Sequence, residues 1–198
     1  SSAFNTASSV LGPTGHLNVP SAEIVGNRKY SLSLHKYWFK FNYGIMDLGE
    51  VGANVDLSGG RNFYAVVKNT KINLKVALPL ISRNICLLAA GVEGDAFYLS
   101  ANRHFDFLSG TDAAMGTGNK RFNYFFASLA KYVNENAAVM LEYDGSDYNL
   151  GGRIVLSPSI KIDVMIRGMK AAFGQKSLSS AIDRNFIFGI TYVDYLSL

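Results

Sequence analysis

The stretch VMLEYDGSDYNLGGRIVLSPSIKIDVMIRG, residues 139–168, alternates apolar and polar residues in three successive runs. In the first run, one face carries Met140, Glu142 and Asp144, and the other face is apolar. The joints between the runs are DGSD and SPS, which are typical turn sequences. A period of two residues predicts β-strands, so this stretch is a three-stranded antiparallel meander with one apolar and one polar face.

The alternation leaves open which face meets water. In a soluble barrel the apolar face lies inside, whereas in an outer-membrane barrel it meets lipid and the polar face lines the lumen. The chain has 11 Tyr and 13 Phe but one Trp, and so many rings would crowd a closed interior. This favours the lipid-facing arrangement for the aromatic residues in the apolar phase, which are Phe39, Phe41, Tyr43, Phe97, Phe105, Phe122, Tyr124, Phe126, Phe186, Phe188 and Tyr192.

Length and composition bound the remaining choices. A chain of 198 residues fits one domain, and no apolar run approaches the length of about 18–20 residues that a membrane helix needs. The single cysteine, Cys86, excludes an intramolecular disulfide. Net charge is +4 with dispersed basic residues, so we expect no nucleic-acid partner. We also expect no cofactor and no metal site, because His16 and His35 are isolated in the sequence.

The whole chain is therefore predicted to be all-β: a closed antiparallel transmembrane β-barrel of about 10 strands (10–12), spanning residues 29–198, with a short N-terminal plug or arm, residues 1–28. In KYSLSLHKYWFKFNYGI, residues 29–45, the phase shifts by one residue near His35, which indicates a β-bulge or a tight turn. Taking this region as one bulged strand gives the preferred count of ten.

Chain direction then assigns the joints. From a periplasmic N-terminus, residues 47–48, 80–84, 108–119, 144–147 and 169–185 fall at the outer face, and the remaining, shorter joints fall at the inner face. One region resists this scheme, because Lys68 would lie in the lipid-facing phase of a long strand over residues 61–78. Three explanations stay open: the strand begins near Thr70, it contains another bulge, or residues 69–70 form a turn.

Charged residues in the polar phase predict a network inside the lumen. It could be a ladder of salt bridges in a plugged barrel, which we favour, or a constriction that selects ions. The predicted members are Lys40, Glu50, Asp56, Lys71, Lys75, Glu142, Arg153, Lys161, Asp163 and Arg167.

Two smaller sets are singled out by residue type. Acidic residues and a histidine near strand ends could activate water at a barrel rim, or simply form a polar rim, which we favour; this predicted rim set is His104, Asp106, Asp144 and Asp147. In GHLNVPSAE, prolines and an asparagine predict a defined loop at or inside the periplasmic opening, and the plug residues are His16, Asn18 and Pro20.

Three segments resemble the YjbH-like family of Gram-negative outer-membrane proteins: LNVPSAEI (17–24), NYGIMDLGEVGANVD (42–56) and AVMLEYDGSDYNLGGRIVLSPSIKIDV (138–164). The last is the most specific. The resemblance implies an outer-membrane barrel linked to exopolysaccharide or other cell-envelope functions, and it brings no catalytic residues.

These observations predict a non-enzymatic barrel in the outer membrane of a Gram-negative bacterium. We expect a structural or accessory role in the cell envelope, in contact with outer-membrane lipid and with other envelope proteins as a subunit of a larger assembly. The alternatives are a narrow pore for ions or small solutes and, less favoured, a rim hydrolase that uses Asp and His residues.

Overall fold

The computed structural model describes residues 7–9, 13–58, 63–80, 85–106, 110–169 and 185–196. In these ranges twelve antiparallel strands form a closed barrel, in which each strand pairs with its sequence neighbours and the first pairs with the last. The strands are β1 Lys29–His35, β2 Trp38–Ile45, β3 Gly49–Asp56, β4 Lys71–Ala77, β5 Leu87–Glu93, β6 Ala96–Phe105, β7 Thr111–Gly118, β8 Phe126–Asn134, β9 Ala137–Tyr143, β10 Tyr148–Val155, β11 Ile160–Ile166 and β12 Phe186–Tyr195. The predicted closed antiparallel barrel is confirmed, with twelve strands instead of ten.

Two short helical elements have bounds within the described residues. Helix α1, Phe63–Lys68, precedes β4, and a 3₁₀ turn, Lys120–Phe122, precedes β8. Neither of these elements, within the described ranges, is long and apolar enough to cross a membrane.

The two additional strands have separate causes. The region 29–45 is a hairpin and not one bulged strand, because Lys36 adopts φ 53° in a two-residue turn and His35 pairs with Trp38. Strand β7 was predicted as part of a loop, because TDAAMGTG has small residues on both faces and no clear alternation. Strand β7 is defined by its antiparallel hydrogen bonding to β6 and β8, and not by an alternation of its side chains.

The open question at Lys68 is resolved by helix α1. Lys68 is the last residue of this helix, and β4 begins only at Lys71. The strand starts after Thr70, as the first explanation has it, and Asn69 lies in a turn, as the third has it. Lys68 therefore lies outside the barrel wall.

We call the end where β1 starts and β12 finishes the terminal end, and the opposite end the far end. Strand order places the joints after β2, β4 and β6 at the terminal end. The ten-strand count had placed the corresponding residues, 47–48, 80–84 and 108–119, at the far end. That assignment is wrong because the extra strand in 29–45 reverses the direction of those that follow. Strand β7 is the second additional strand and reverses the direction again. The joints at 144–147 and 169–185 therefore lie at the far end as predicted. Residues 81–84, 107–109 and 170–184 fall outside the described parts of these joints.

The two faces of the wall have opposite polarity. Large apolar side chains point outward and stay exposed, as at Phe188 (52%) and Leu141 (48%), while the inward Arg153 and Lys40 are fully buried. Nine of the eleven aromatic residues predicted to face outward are exposed or half-buried. Phe122 and Phe126 are the exceptions, since both are completely buried and pack on Tyr98 inside the far end. Their phase was misjudged because residues 119–125 are a folded connection and not strand.

The inward face of β7 gives a test of this packing. A Cβ atom at Gly116 would overlap the Phe126 ring and the Leu99 carbonyl, so Gly116→Ala should destabilise the barrel by about 1–3 kcal/mol through overpacking. The measurement is urea unfolding in detergent micelles followed by circular dichroism. Gly152→Ala is the matched control, because its Cβ would meet Ala138 O only at 3.2 Å. Equal stabilities of the two variants would contradict the inward placement of Phe126.

Candidate functional site: a lumen closed by the N-terminal segment

The interior of the barrel is filled by the chain's own N-terminal segment. Residues 7–9 and 13–22 are almost entirely buried, and their hydrogen-bond partners come from strands on all sides of the wall. We call the described residues 7–9 and 13–25 the plug. The segment enters at the terminal end, and its deepest residues, Leu17 and Asn18, contact Glu142 and Asp144 near the far end.

The plug folds through two small bridges of its own. Gly15 pairs with Pro20 and Ser8 pairs with Thr14, and the His16 N–H donates to Val19 O at 3.2 Å. A side chain at Gly15 would overlap the Val19 carbonyl, so the tight turn over residues 15–20 requires glycine at this position. The turn presents the N–H groups of Leu17 and Asn18 at its tip.

Two carboxylates of the wall bind main-chain N–H groups of the plug. The Leu17 and Asn18 N–H groups donate to Glu142 at 2.6 and 2.7 Å. Nearer the terminal end, Glu50 accepts hydrogen bonds from the Thr14 N–H at 2.7 Å, from the Thr14 hydroxyl at 2.5 Å and from the Val25 N–H at 3.1 Å. An ionised acceptor makes these bonds stronger than those between neutral groups, so the carboxylates replace the water that an extended chain would otherwise need.

Cations of the wall bind the carbonyl groups of the plug. The Lys75 ammonium donates to Thr14 O at 2.8 Å, to Ser21 O at 3.3 Å and to Glu23 O. It also lies 3.3 Å from Glu50. Lys40 donates to Ser9 O. The plug's main chain is therefore held by both signs of charge, and each charge gains the partners without which its burial would be costly.

Arg153 connects the plug to the wall's own ion pairs. Its guanidinium donates to Gly15 O at 3.2 Å and to His16 O at 2.9 Å, and its Nε donates to Asp163 at 2.6 Å. Asp163 also contacts His35 at 3.0 Å. The His35 ring lies against Gly189 on the neighbouring strand, where any Cβ would overlap it.

Two plug side chains belong to the apolar clusters of the lumen, and Ala7, Ala22 and Val25 of the plug are also buried. Leu17 belongs to a buried cluster with Met140, Met165 and Ile187, and Val19 packs with the aromatic cluster around Phe122. His16 instead makes a polar contact, with Nδ1 2.5 Å from the Ser128 hydroxyl. The remaining attachment of the plug is therefore mainly polar.

The far end of the lumen is covered above the plug tip. Arg121, in the connection before β8, donates to Asn18 O at 3.3 Å and pairs with Glu93 at 2.5 Å. The Asn18 side-chain amide donates to Asp144 at 2.7 Å. These contacts join the tip to both the 119–125 connection and the 144–147 turn.

Asp144 is ionised more readily than an ordinary aspartate. Burial by itself would raise the pKa of this carboxyl, but hydrogen bonds from the Asp147 N–H, the Asn149 amide and Ser146 outweigh that effect. The net result is a pKa below the usual 3.8. The carboxylate is thus available to hold the plug tip at every pH near neutrality.

The predicted lumen network divides into two parts. Seven of its ten members are fully or almost fully buried in the lumen: Lys40, Glu50, Lys75, Glu142, Arg153, Lys161 and Asp163. The other three lie at the far-end rim and are half-buried or exposed: Asp56, Lys71 and Arg167. Asp56 there caps a turn by accepting the Ser58 N–H at 2.8 Å.

Sequence reasoning missed several polar participants, among them Glu93, His35 and Arg121. Glu93 was read as part of a turn, although it ends β5 and is buried. His35 was lost at the phase change, and Arg121 lies in a connection whose entry into the lumen leaves no periodic signal. Of these three, only Glu93 could have been found from the sequence, because it continues the inward phase of Ala89 and Gly91.

The predicted plug residues all lie in the lumen. His16 and Asn18 are 1% and 0% exposed, and Pro20 is also buried. Residues 1–6 and 10–12 of the predicted arm lie outside the described residues.

The predicted rim set is not brought together. His104 and Asp106 lie at the terminal end of β6, whereas Asp144 and Asp147 lie in the far-end turn between β9 and β10. The expectation of one shared rim is therefore corrected by strand direction. His104 instead contacts Asp112 at 2.6 Å and Asp106 at 3.0 Å, and Tyr132 donates to Asp112. Among the described residues, no group of three or more His, Cys, Asp or Glu side chains is arranged to hold a metal ion.

No protein-family model matches this chain, and no curated protein sequence matches it significantly.

The Glu142 contacts make a specific prediction for the plug tip. In the unmodified protein, the two carboxylate oxygens of Glu142 accept the N–H groups of Leu17 and Asn18, whereas Glu142→Gln offers a single amide oxygen. Hydrogen bonds to charged groups contribute about 1.5–3 kcal/mol each. We expect amide hydrogen exchange at Leu17 and Asn18 to accelerate roughly tenfold or more. Asp106→Asn is the control, since Asp106 is exposed and contacts His104. Unchanged exchange in Glu142→Gln would show that the carboxylate does not hold the tip.

The lowered pKa of Asp144 gives a pH dependence. A carboxyl whose folded pKa is depressed stabilises the fold above its unfolded pKa, and that contribution is lost as pH falls through the folded value. Near neutral pH, Asp144→Asn should therefore lower the free energy of unfolding by about 1–3 kcal/mol. The difference from the unmodified protein should begin to shrink as the pH falls below the ordinary pKa of 3.8 and should be lost below the lowered pKa of the folded state. Urea titrations across that range are the measurement, and a pH-independent difference would refute the ionic role.

Proposed function

We propose that this chain is a β-barrel of the outer membrane of a Gram-negative bacterium, with a non-enzymatic structural or accessory role in the cell envelope. In its resting state the lumen is closed by the plug. The observation that carries the proposal is the inverted polarity of the wall, with charges buried inside and large apolar side chains exposed outside.

The outward face is hard to reconcile with water. Soluble monomers rarely expose a contiguous apolar patch of more than a few hundred Å², yet here almost every strand presents large apolar side chains on one face. Examples on strands distributed around the barrel are Phe41 at 39%, Leu74 at 46%, Leu129 at 52%, Ile154 at 47% and Ile190 at 44% exposed. Lipid would cover this surface without requiring any of these residues to pack against protein.

Aromatic residues at both ends of the wall support the same placement. At the terminal end, the Tyr30 and Tyr192 rings lie 6.2 Å apart. At the far end, Tyr143 lies 5.2 Å from Tyr148 and 6.5 Å from Phe125. Amphipathic rings at the two interfaces are typical of membrane barrels, since the ring contacts lipid while the hydroxyl stays hydrated.

The connections indicate an orientation. The two longest connections, 57–70 and 167–185, both lie at the far end, whereas the longest connection at the terminal end is 78–86. Bacterial barrels have short periplasmic turns and longer extracellular loops. We therefore place the terminal end, where the plug enters, in the periplasm.

The accessory role also rests on the resemblance to the YjbH-like family. The first and third segments that carry it meet in the lumen, where the Leu17 and Asn18 N–H groups donate to Glu142. Glu50 of the second segment and Arg153 of the third bind the preceding plug residues Thr14 and Gly15. A link to exopolysaccharide export, and membership of a larger envelope assembly, remain predictions from this resemblance.

The division of the predicted rim set supports a non-enzymatic role. The predicted hydrolytic set needed all four residues at one rim, but Asp144 and Asp147 lie at the opposite end of the barrel from His104 and Asp106.

The proposal is tested by folding the chain in detergent and in plain buffer. We expect β-structure in circular dichroism only in detergent or lipid, a gel mobility shift on boiling, and co-flotation with liposomes. Flotation after an alkaline carbonate wash separates integral insertion from surface adsorption. A monodisperse β-protein in plain buffer that does not float with liposomes would refute the membrane assignment.

A further inference from the structure

We propose that the plug is displaceable, and that its withdrawal through the terminal end turns the closed barrel into a hydrophilic pore. This inference rests on the proposed membrane location, because conduction has meaning only if the wall separates two compartments. It goes beyond the resting state by assigning the N-terminal segment a second position outside the lumen.

The wall does not need the plug for its own closure. All twelve strands are paired to each other around the ring. Several inward charges also pair within the wall, as in Arg153 with Asp163 and Lys75 with Glu50. Departure of the plug would leave these ion pairs in place and expose them to water, which lowers the cost of separating them from the plug's main chain.

The bonds that hold the plug are of a kind that water can replace. Glu50, Glu142, Lys75 and Arg153 bind main-chain N–H and carbonyl groups, and water-mediated hydrogen bonds are nearly equivalent in enthalpy. Leu17 and Val19 belong to the apolar clusters of the lumen, and Ala7, Ala22 and Val25 of the plug are also buried. The attachment thus combines a few apolar side chains with these replaceable main-chain hydrogen bonds.

The chain changes direction at a glycine immediately before it is fastened to the wall. Gly26 has φ 95°, a conformation that favours glycine. Directly after it, the Asn27 N–H donates to Asp47 at 2.6 Å and the Arg28 N–H donates to Gly44 O at 3.2 Å. Rotation about Gly26 could therefore move the plug without separating β1 from its neighbours.

Space for this movement exists beside the hinge. A groove of about 600 Å³ opens at the terminal end, with residues 22–27 along one side and Leu48, Leu78 and Leu87 along the other. The end of the plug and the hinge thus line a cavity that is open to solvent.

The emptied lumen would carry nearly balanced charge. The inward cations are Lys40, Lys75, Arg121, Arg153 and Lys161, and the inward anions are Glu50, Glu93, Asp112, Glu142, Asp144 and Asp163. Such a lining should pass small hydrophilic solutes and ions with weak selectivity for charge.

A reversible cross-link tests the displacement. The Ser8 and Ser31 hydroxyls lie 3.2 Å apart, so Ser8→Cys with Ser31→Cys should form a disulfide between plug and wall, in a Cys86→Ser background that removes the native thiol. Planar-bilayer currents are recorded before and after reduction. We expect the oxidised protein to be silent and the reduced protein to show openings, with roughly tenfold more openings when Glu142→Gln is added.

A second cross-link is the matched control. Ser33 and Thr191 face each other across β1 and β12, with their hydroxyls 2.9 Å apart. Ser33→Cys with Thr191→Cys therefore cross-links β1 to β12 without contacting the plug. Oxidation of this pair should leave the frequency of openings unchanged.

The outcomes separate the two proposals. Liposome flotation of the same samples reports membrane insertion, so loss of flotation would refute the proposed function. Two results would overturn plug displacement in protein that floats with liposomes. One is equal currents in the oxidised and reduced Ser8–Ser31 protein, and the other is an absence of currents in the reduced protein that carries Glu142→Gln. Openings that respond to reduction in the plug cross-link alone would support it.

Discussion

The closed state of the lumen depends on how the main chain of the N-terminal segment is hydrogen-bonded inside the barrel. A twelve-stranded wall encloses more volume than its own inward side chains readily fill, and a chain segment placed there brings N–H and carbonyl groups that must find partners. Glu142, Glu50, Lys75 and Arg153 supply those partners. Each of these side chains is charged and buried, so each in turn needs the plug or a neighbouring ion pair as a partner for its charge.

This mutual dependence explains why the lumen is polar but closed. A buried ion pair contributes little net free energy to stability, because its attraction is offset by the loss of hydration. Removing one partner is strongly destabilising, because it leaves a buried charge without compensation. Here Asp163 is shared by Arg153 and His35, and Arg153 also reaches two plug carbonyls. The network positions the plug specifically through charge-assisted bonds, while few apolar contacts commit it to that position. Closure and the capacity to open arise from the same contacts.

Some features of the fold followed from local patterns. The meander at 139–168 appears as β9, β10 and β11 in the predicted phase, because each strand has one wholly apolar face. The strand count did not follow, since Lys36 turns the chain with no glycine or proline to mark it, and β7 carries small residues on both faces. Those strands are defined by hydrogen bonds to neighbours, which a single sequence does not display.

The sequence by itself determined that the protein is an antiparallel β-barrel and which side chains share each face of most strands, because strand periodicity is a local property. It also determined that the lumen carries compensating charges. The tertiary structure decided what those charges bind, that Arg121 and Phe122 enter the lumen, and that His104 and Asp144 lie at opposite ends. These facts depend on barrel closure and strand direction, which bring together residues more than a hundred positions apart, as with Leu17 and Glu142.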